Sequence, residues 1–331
     1  MSEPTVVITN KPFPETVDLL APHCRVVANS GIEVWEEDEK MAHLAEATAM
    51  MAFMPDTVDA AFLEHCPKLK LISCALKGYD NFDLEACSAR GVLVTFVADL
   101  LTNPTAELAV GLTIGLARNL RAGHRNVSGG YKGWRAQLYG KGLDGSQVGL
   151  LGAGAVGRAT AERLQGFGCQ LRYFDETPVP ADEQSRLGLA RASLTDLLGD
   201  SDFLIVCLPL NSGTLHLLDA GRIAEMKPGA HLINISRGSV VDEKAVADAL
   251  EAGHLAGYAA DVFELEDWAL PARPREIDAR LLHDDAPTLF TPHLGSAVVD
   301  VRMEIERQAA ERIVEFLNGA TPRGVINAEV A

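Results

Sequence analysis

Basic residues are scarce in this chain: 29 Lys and Arg stand against 46 Asp and Glu, a formal net charge of −17. That balance argues against nucleic acid and against an anionic membrane surface, which both recruit proteins by concentrated positive charge. An anionic substrate would need a local island of positive charge. No uninterrupted apolar run reaches the ~20 residues that span a bilayer, so no membrane partner is expected. The opening MSEPTVVITN has no charged stretch followed by an apolar one, so no secretory signal is read there. Six cysteines (Cys24, Cys66, Cys74, Cys87, Cys169, Cys207) are scattered without CxxC or metal-ligand spacing. They read as reduced, mostly core residues, and no metal site is expected. There is no internal repeat and no low-complexity tract. At 331 residues and 47% hydrophobic, the chain is long enough for two well-filled domains. A cytoplasmic enzyme is expected.

The densest information lies between Val148 and Asp175, VGLLGAGAVGRATAERLQGFGCQLRYFD. An apolar strand, Val148 to Leu151, runs into Gly152, Gly154 and Gly157 at GxGxxG spacing. A helix with apolar Ala155, Ala159 and Leu164 opens at once. A second strand, Gln170 to Phe174, ends in Asp175, about 18 residues past the last glycine. Strand, glycine loop, helix, strand and acid in this order form a dinucleotide-binding fingerprint. Gly152 permits the turn, Gly154 lets backbone approach a pyrophosphate, and Gly157 lets helix and strand pack closely. The helix N-terminus offers its unpaired N–H groups to phosphate. Asp175 accepts hydrogen bonds from the ribose hydroxyls and repels a 2′-phosphate, so NAD is expected over NADP. Glu176 reads as a solvated turn acid.

Strands and helices alternate on both sides of this motif. Before it come strands at VVITN, Ala49 to Phe53, Leu69 to Ala75 and Val92 to Thr95, with helices at Glu37 to Ala47 and Phe62 to Cys66. A long helix, Thr105 to Arg121, leads to an irregular arm at His124 to Gly145. After the motif, strands at Phe203 to Leu208, His231 to Ile235, Gly257 to Asp261 and Thr288 to Thr291 alternate with helices at Thr195 to Leu198, Arg222 to Met226 and Glu243 to Ala252. The pattern predicts α/β architecture with two doubly wound parallel-sheet domains, a Rossmann-type cofactor domain and a flavodoxin-like substrate domain. The last helix, Asp300 to Leu317, is expected to return to the first domain. Residues 1–99 plus 298–331 are then the substrate domain and 100–297 the NAD-binding domain.

In such sheets ligands bind beyond the carboxyl ends of strands. Arg237, between a buried strand and Gly238, is placed to clamp an anion through two parallel hydrogen bonds. Glu266 and His293 follow adjacent strands and suit a dyad in which the carboxylate holds the ring and the imidazole moves a proton.

NISRGSVVDEKAVADALEAGHLAGYAADVFELED, LPLNSGTLHLL and TPHLGS together resemble the D-2-hydroxyacid dehydrogenase family, over nearly the whole chain. The resemblance places Arg237, Glu266 and His293 on the family's catalytic Arg, Glu and His. It implies cofactor contacts from Thr105, Gly152, Gly154, Ala155, Val156, Gly157, Asp175, Pro209, Asp261 and His293. Two departures stand out. The family's glutamate is usually followed by proline, here Asp267, and CALKGYDNFD carries Lys77 where a small or apolar residue is usual.

Lys77, the EDW segment, GWRAQLYG and AVVDVR resemble the phosphonate (phosphite) dehydrogenase branch. That resemblance implies oxidation of phosphite to phosphate with NAD, by a homodimer. It puts Lys77, Arg237 and the backbone near Gly78 on the substrate oxygens, with Arg302 sharing anion binding or positioning the base, Met54, Leu101, Trp134, Tyr139 and Ser296 lining the pocket and Asp80 orienting Lys77 or holding its loop. The alternatives are a D-2-hydroxyacid dehydrogenase or 2-keto acid reductase, sharing Arg237, Glu266, His293 and the cofactor site, and a non-catalytic NAD-sensing module.

Overall fold

The computed structural model describes residues 3–97 and 99–327. The chain folds into two compact units, Met1–Leu101 with Trp268–Pro271 and Ala297–Ala331, and Thr102–Asp267 with Ala272–Ser296.

The first unit holds five parallel strands, β1 (Thr5–Ile8), β2 (Arg25–Ala28), β3 (Ala49–Ala52), β4 (Leu71–Cys74) and β5 (Leu93–Phe96), in the order β2-β1-β3-β4-β5. This is the flavodoxin-like order, with its switch point between β1 and β3. β3 and β4 are buried at every position, as strands covered on both faces must be. On one face, the helix Val299–Leu317 buries Ile305, Ala309 and Ile313 against the sheet at four-residue spacing. Ser73 Oγ on β4 donates to its Ala309 carbonyl over 2.8 Å. The sequence pattern does not mark β2, a four-residue edge strand with no fully buried position.

The second unit holds seven parallel strands, β6 (Gln147–Leu151), β7 (Gln170–Phe174), β8 (Leu189–Arg191), β9 (Phe203–Val206), β10 (Ala230–Asn234), β11 (Leu255–Ala260) and β12 (Thr288–Phe290). Their order is β12-β11-β10-β9-β6-β7-β8, a Rossmann-type arrangement that reverses between β6 and β9. β8, a three-residue edge strand with one buried position, is likewise too short to show in the pattern. The expected long helix is two. Thr102–Ala117 ends where Asn119 takes φ +54°, and Leu120–Ser128 follows. Asn tolerates the left-handed region through its short polar side chain, so the helical pattern is broken without Gly or Pro. The irregular arm therefore begins at Gly129 rather than His124.

Candidate active site

The glycine loop leaves β6 at the switch point of the second sheet. Gly152 has φ +102°, and a Cβ there would stand 2.9 Å from the Cys207 carbonyl oxygen. A Cβ on Gly157 would stand 2.3 Å from the Gly152 carbonyl oxygen, so neither position admits a side chain. At Gly154 a Cβ would meet nothing within 4 Å. The cradle beside Gly154 is open, and the helix Ala155–Leu164 starts there with Ala155 and Val156 in its first turn. Its first N–H groups have no intrahelical acceptor and point toward that space. Asp175 follows β7. Its Oδ2 accepts the Ala153 N–H (2.8 Å) and its Oδ1 the Thr177 N–H (2.9 Å). The acid is fixed against the glycine loop, with lone pairs left for ribose hydroxyls. These residues fit a dinucleotide. Pro209 is exposed beyond the end of β9, and its carbonyl accepts the Thr214 hydroxyl over 2.6 Å.

Arg237 follows β10. The buried Asn234 shapes its turn, donating Nδ2–H to the Arg237 carbonyl (2.9 Å) and accepting from the Ser236 N–H (3.1 Å). Gly238 then lies against the chain after β11: a Cβ there would sit 1.9 Å from the Phe263 carbonyl carbon. The Arg237 turn and the short 3-10 helix Glu264–Glu266 are thus in direct backbone contact.

His293 and Glu266 meet as the sequence suggested, with Nδ1 2.6 Å from Oε2. His293 has φ +55°, an unusual conformation for a residue with a Cβ. Asp261 holds it there. The Asp261 carboxylate, nearly fully buried, accepts the Thr291 hydroxyl (2.6 Å) and the N–H groups of Leu294 (2.7 Å) and Gly295 (2.8 Å). Its carbonyl accepts the His293 N–H over 2.8 Å. Burial pushes the Asp261 carboxyl above its ordinary value, opposed by those donors. Among its described partners, Asp261 shapes the histidine loop. Gly295 packs against Thr105, whose Oγ1 would stand 3.1 Å from a Cβ there, and Ser296 follows, half-buried. Behind Glu266 lie two buried carboxyls that exchange backbone bonds: Glu264 N–H donates to Glu243 (2.7 Å) and Glu243 N–H to Glu264 (2.9 Å). Burial raises the Glu243 carboxyl to about 7.

In the first unit, the expected substrate residues gather at the carboxyl ends of β3 and β4. The Met54 carbonyl accepts from Asn81 Nδ2 (3.0 Å), tying the two loops together. Arg302 Nη1 donates to the Ala75 carbonyl (3.2 Å), and its guanidinium lies 5.8 Å from the Phe53 ring centre. Burial lowers its proton affinity below the ordinary arginine value, and Glu306 opposes that. Lys77 Nζ lies 3.0 Å from Asp99 Oδ1, a partner sequence reading missed because Asp99 is 22 residues away. Gly78 is half-buried, and Leu101 packs at the edge of the sheet's core.

The arm carries Trp134 and Tyr139, 75% and 77% exposed, so neither is packed into a pocket. Lys141 N–H donates to the Ala117 carbonyl over 2.9 Å, docking the arm's end on the first helix.

Residues 110–295, which carry the glycine loop and the His–Glu pair, match the family described as D-isomer specific 2-hydroxyacid dehydrogenase, NAD binding domain. The chain belongs to that family. A glyoxylate reductase of Thermococcus onnurineus is 32% identical, covering 99% of this chain and 97% of the relative. A glyoxylate reductase of Thermococcus litoralis is 34% identical, over 90% and 91%. The structure of the TT0316 protein from Thermus thermophilus superposes with a TM-score of 0.88 at 31% identity, over 97% and 99%. This member of the dehydrogenase family is an oxidoreductase and its cofactor is NAD. The names of these relatives support the hydroxyacid dehydrogenase family and not the expected phosphonate dehydrogenase branch. Among the described residues, no helix is long and apolar enough to cross a membrane.

Proposed function

We propose that this dehydrogenase oxidises phosphite to phosphate. The observation that carries the reading is the pair of cationic side chains at the carboxyl end of β4: Arg302 on the Ala75 carbonyl and Lys77 two residues on. A small dianion with three oxygens uses two such groups, where a singly charged carboxylate needs one clamp. In this reading Lys77, Gly78, Arg302 and Arg237 are the residues that bind the oxygens, and Met54, Leu101, Trp134, Tyr139 and Ser296 are further substrate-binding residues. With Nδ1–H given to Glu266, Nε2 of His293 is the free base. It takes a proton from water as the water oxygen bonds to phosphorus and the P–H electron pair leaves as hydride. NAD, when bound, would supply the hydride acceptor. Thr105, Pro209 and Asp261 would border the cofactor, and Asp175 would set its identity. The chain acts as a homodimer, each exposed arm lying against the partner.

The second reading is reduction of a 2-keto acid, and the names of the relatives favour it. There Arg237 clamps the carboxylate and protonated His293 delivers a proton to the keto oxygen. At 32–34% identity a shared name speaks to hydride transfer more firmly than to the substrate. NADH formation from NAD with phosphite, D-lactate or D-glycerate, beside NADH consumption with glyoxylate, separates the two. Phosphite turnover exceeding the others supports the first reading. Glyoxylate turnover without phosphite turnover establishes the second.

A further inference from the structure

We propose that Asp267 is a positioning residue that sets Arg237 and Glu266 relative to each other. This rests on the reading of Arg237 as the anion clamp. The Asp267 side chain is buried, 3% exposed, and its Oδ2 accepts the Ser239 N–H over 2.7 Å. Ser239 lies two residues after Arg237, and Asp267 directly follows Glu266. One carboxylate therefore ties the turn that carries the guanidinium to the turn that carries the histidine's partner. A hydrogen bond with an ionised acceptor is among the stronger polar contacts, and burial shields this one from water.

The surrounding backbone makes that link stiff. Gly238, between Arg237 and Ser239, is already in contact with Phe263 and Glu264, so the two turns cannot slide closer. The Val241 N–H donates to the Gly238 carbonyl (3.0 Å) and the Asp267 N–H to the Glu264 carbonyl (3.2 Å), closing each turn on itself. Contact at Gly238 limits approach, and the Asp267–Ser239 bond resists separation. Loss of that bond frees the Arg237 turn to move outward while leaving the glycine loop and Asp175 untouched. An anion held by a misplaced guanidinium is bound more weakly, whereas the dinucleotide is not.

The test is Asp267→Ala beside Asp267→Asn, whose amide oxygen can still accept from Ser239. Phosphite with NAD and glyoxylate with NADH serve as substrates, and oxalate binding to the NADH-loaded protein is measured by calorimetry. Asp267→Ala should raise KM for the anion and Kd for oxalate about tenfold or more, with KM for the dinucleotide within about twofold. Asp267→Asn should restore most of the loss. In an Arg237→Ala background, Asp267→Ala should add little, because coupled residues are not additive. A merely structural role would lower Tm and the active fraction and leave KM and Kd for the anion unchanged. That result overturns the proposal, as does an Asn variant as impaired as the Ala variant. If the parent turns over neither substrate, the functional reading fails, and the oxalate titration still decides the positioning role.

Discussion

Nδ1 of His293 lies 2.6 Å from Oε2 of Glu266, between segments that follow two neighbouring strands, β12 and β11. The contact gives the histidine a defined tautomer. The carboxylate accepts a hydrogen bond from Nδ1–H, so Nε2 is left as base or, once protonated, as acid. Replacing His293 by Ala removes a group needed only as bonds to the reacting centre change. The expected result is a fall in kcat of about 10²–10⁴ with NAD affinity retained. Stopped-flow kinetics and NAD titration check both halves. Near-parental kcat would remove His293 from proton transfer.

Cofactor choice should follow Asp175. Asp175→Ala removes the charge that repels a 2′-phosphate, and the NADP/NAD ratio of kcat/KM should rise by a factor equivalent to roughly 1–3 kcal/mol. The same change releases the Ala153 N–H from its acceptor, so KM for NAD should rise too. Steady-state kinetics with both cofactors measure this, and an unchanged ratio would reassign the acid.

Lys77 and Asp99 should act in opposite directions on anion capture. Lys77→Ala should raise KM for phosphite at least tenfold and spare NAD. Asp99→Asn removes a competing carboxylate from the Lys77 ammonium and should lower that KM two- to threefold. The effect is small because Asp99 is largely exposed and such pairs are weak in water. Phosphite kinetics on both variants are the check. Parental phosphite KM in Lys77→Ala would detach this lysine from the substrate.

Stability should fall with pH through the range set by Glu243. Its folded carboxyl titrates at about 7, raised by burial from 4.5. The folded state therefore holds this proton more tightly than the unfolded chain, so the stabilisation is complete below 4.5 and is lost as pH rises through 7. The full difference is about 3 kcal/mol. Glu243→Gln keeps an acceptor for the Glu264 N–H and removes the ionisation. It should raise Tm over the parent at pH 8 and change it little at pH 5. Equal Tm differences at both pH values would contradict this.

A homodimer should sediment as one species at micromolar concentration. Trp134→Ala together with Tyr139→Ala should shift it toward monomer, since each exposed ring would lose a buried partner surface. A parent that is monomeric by sedimentation velocity would refute the arm's assignment.

Local pattern determined much of this protein. The glycine spacing, the acid closing β7 and the apolar runs specify βα units, because steric and hydrophobic requirements act within a few residues. From them the two parallel sheets, the NAD fingerprint and the strand-end positions of Arg237, Glu266 and His293 could be read. Short edge strands β2 and β8 left too little burial to show. The break at Asn119 was hidden because a left-handed residue other than Gly has no fixed sequence mark. Only tertiary structure decided which groups pair. Asp99 reached Lys77, Asp267 reached Ser239, and Asp261 took the Thr291 hydroxyl and the N–H groups that set His293 at positive φ. Hydrogen bonds act over about 3 Å. Which distant carboxylate falls within that reach depends on how whole turns pack, as where Gly238 meets Phe263, and no local periodicity encodes it.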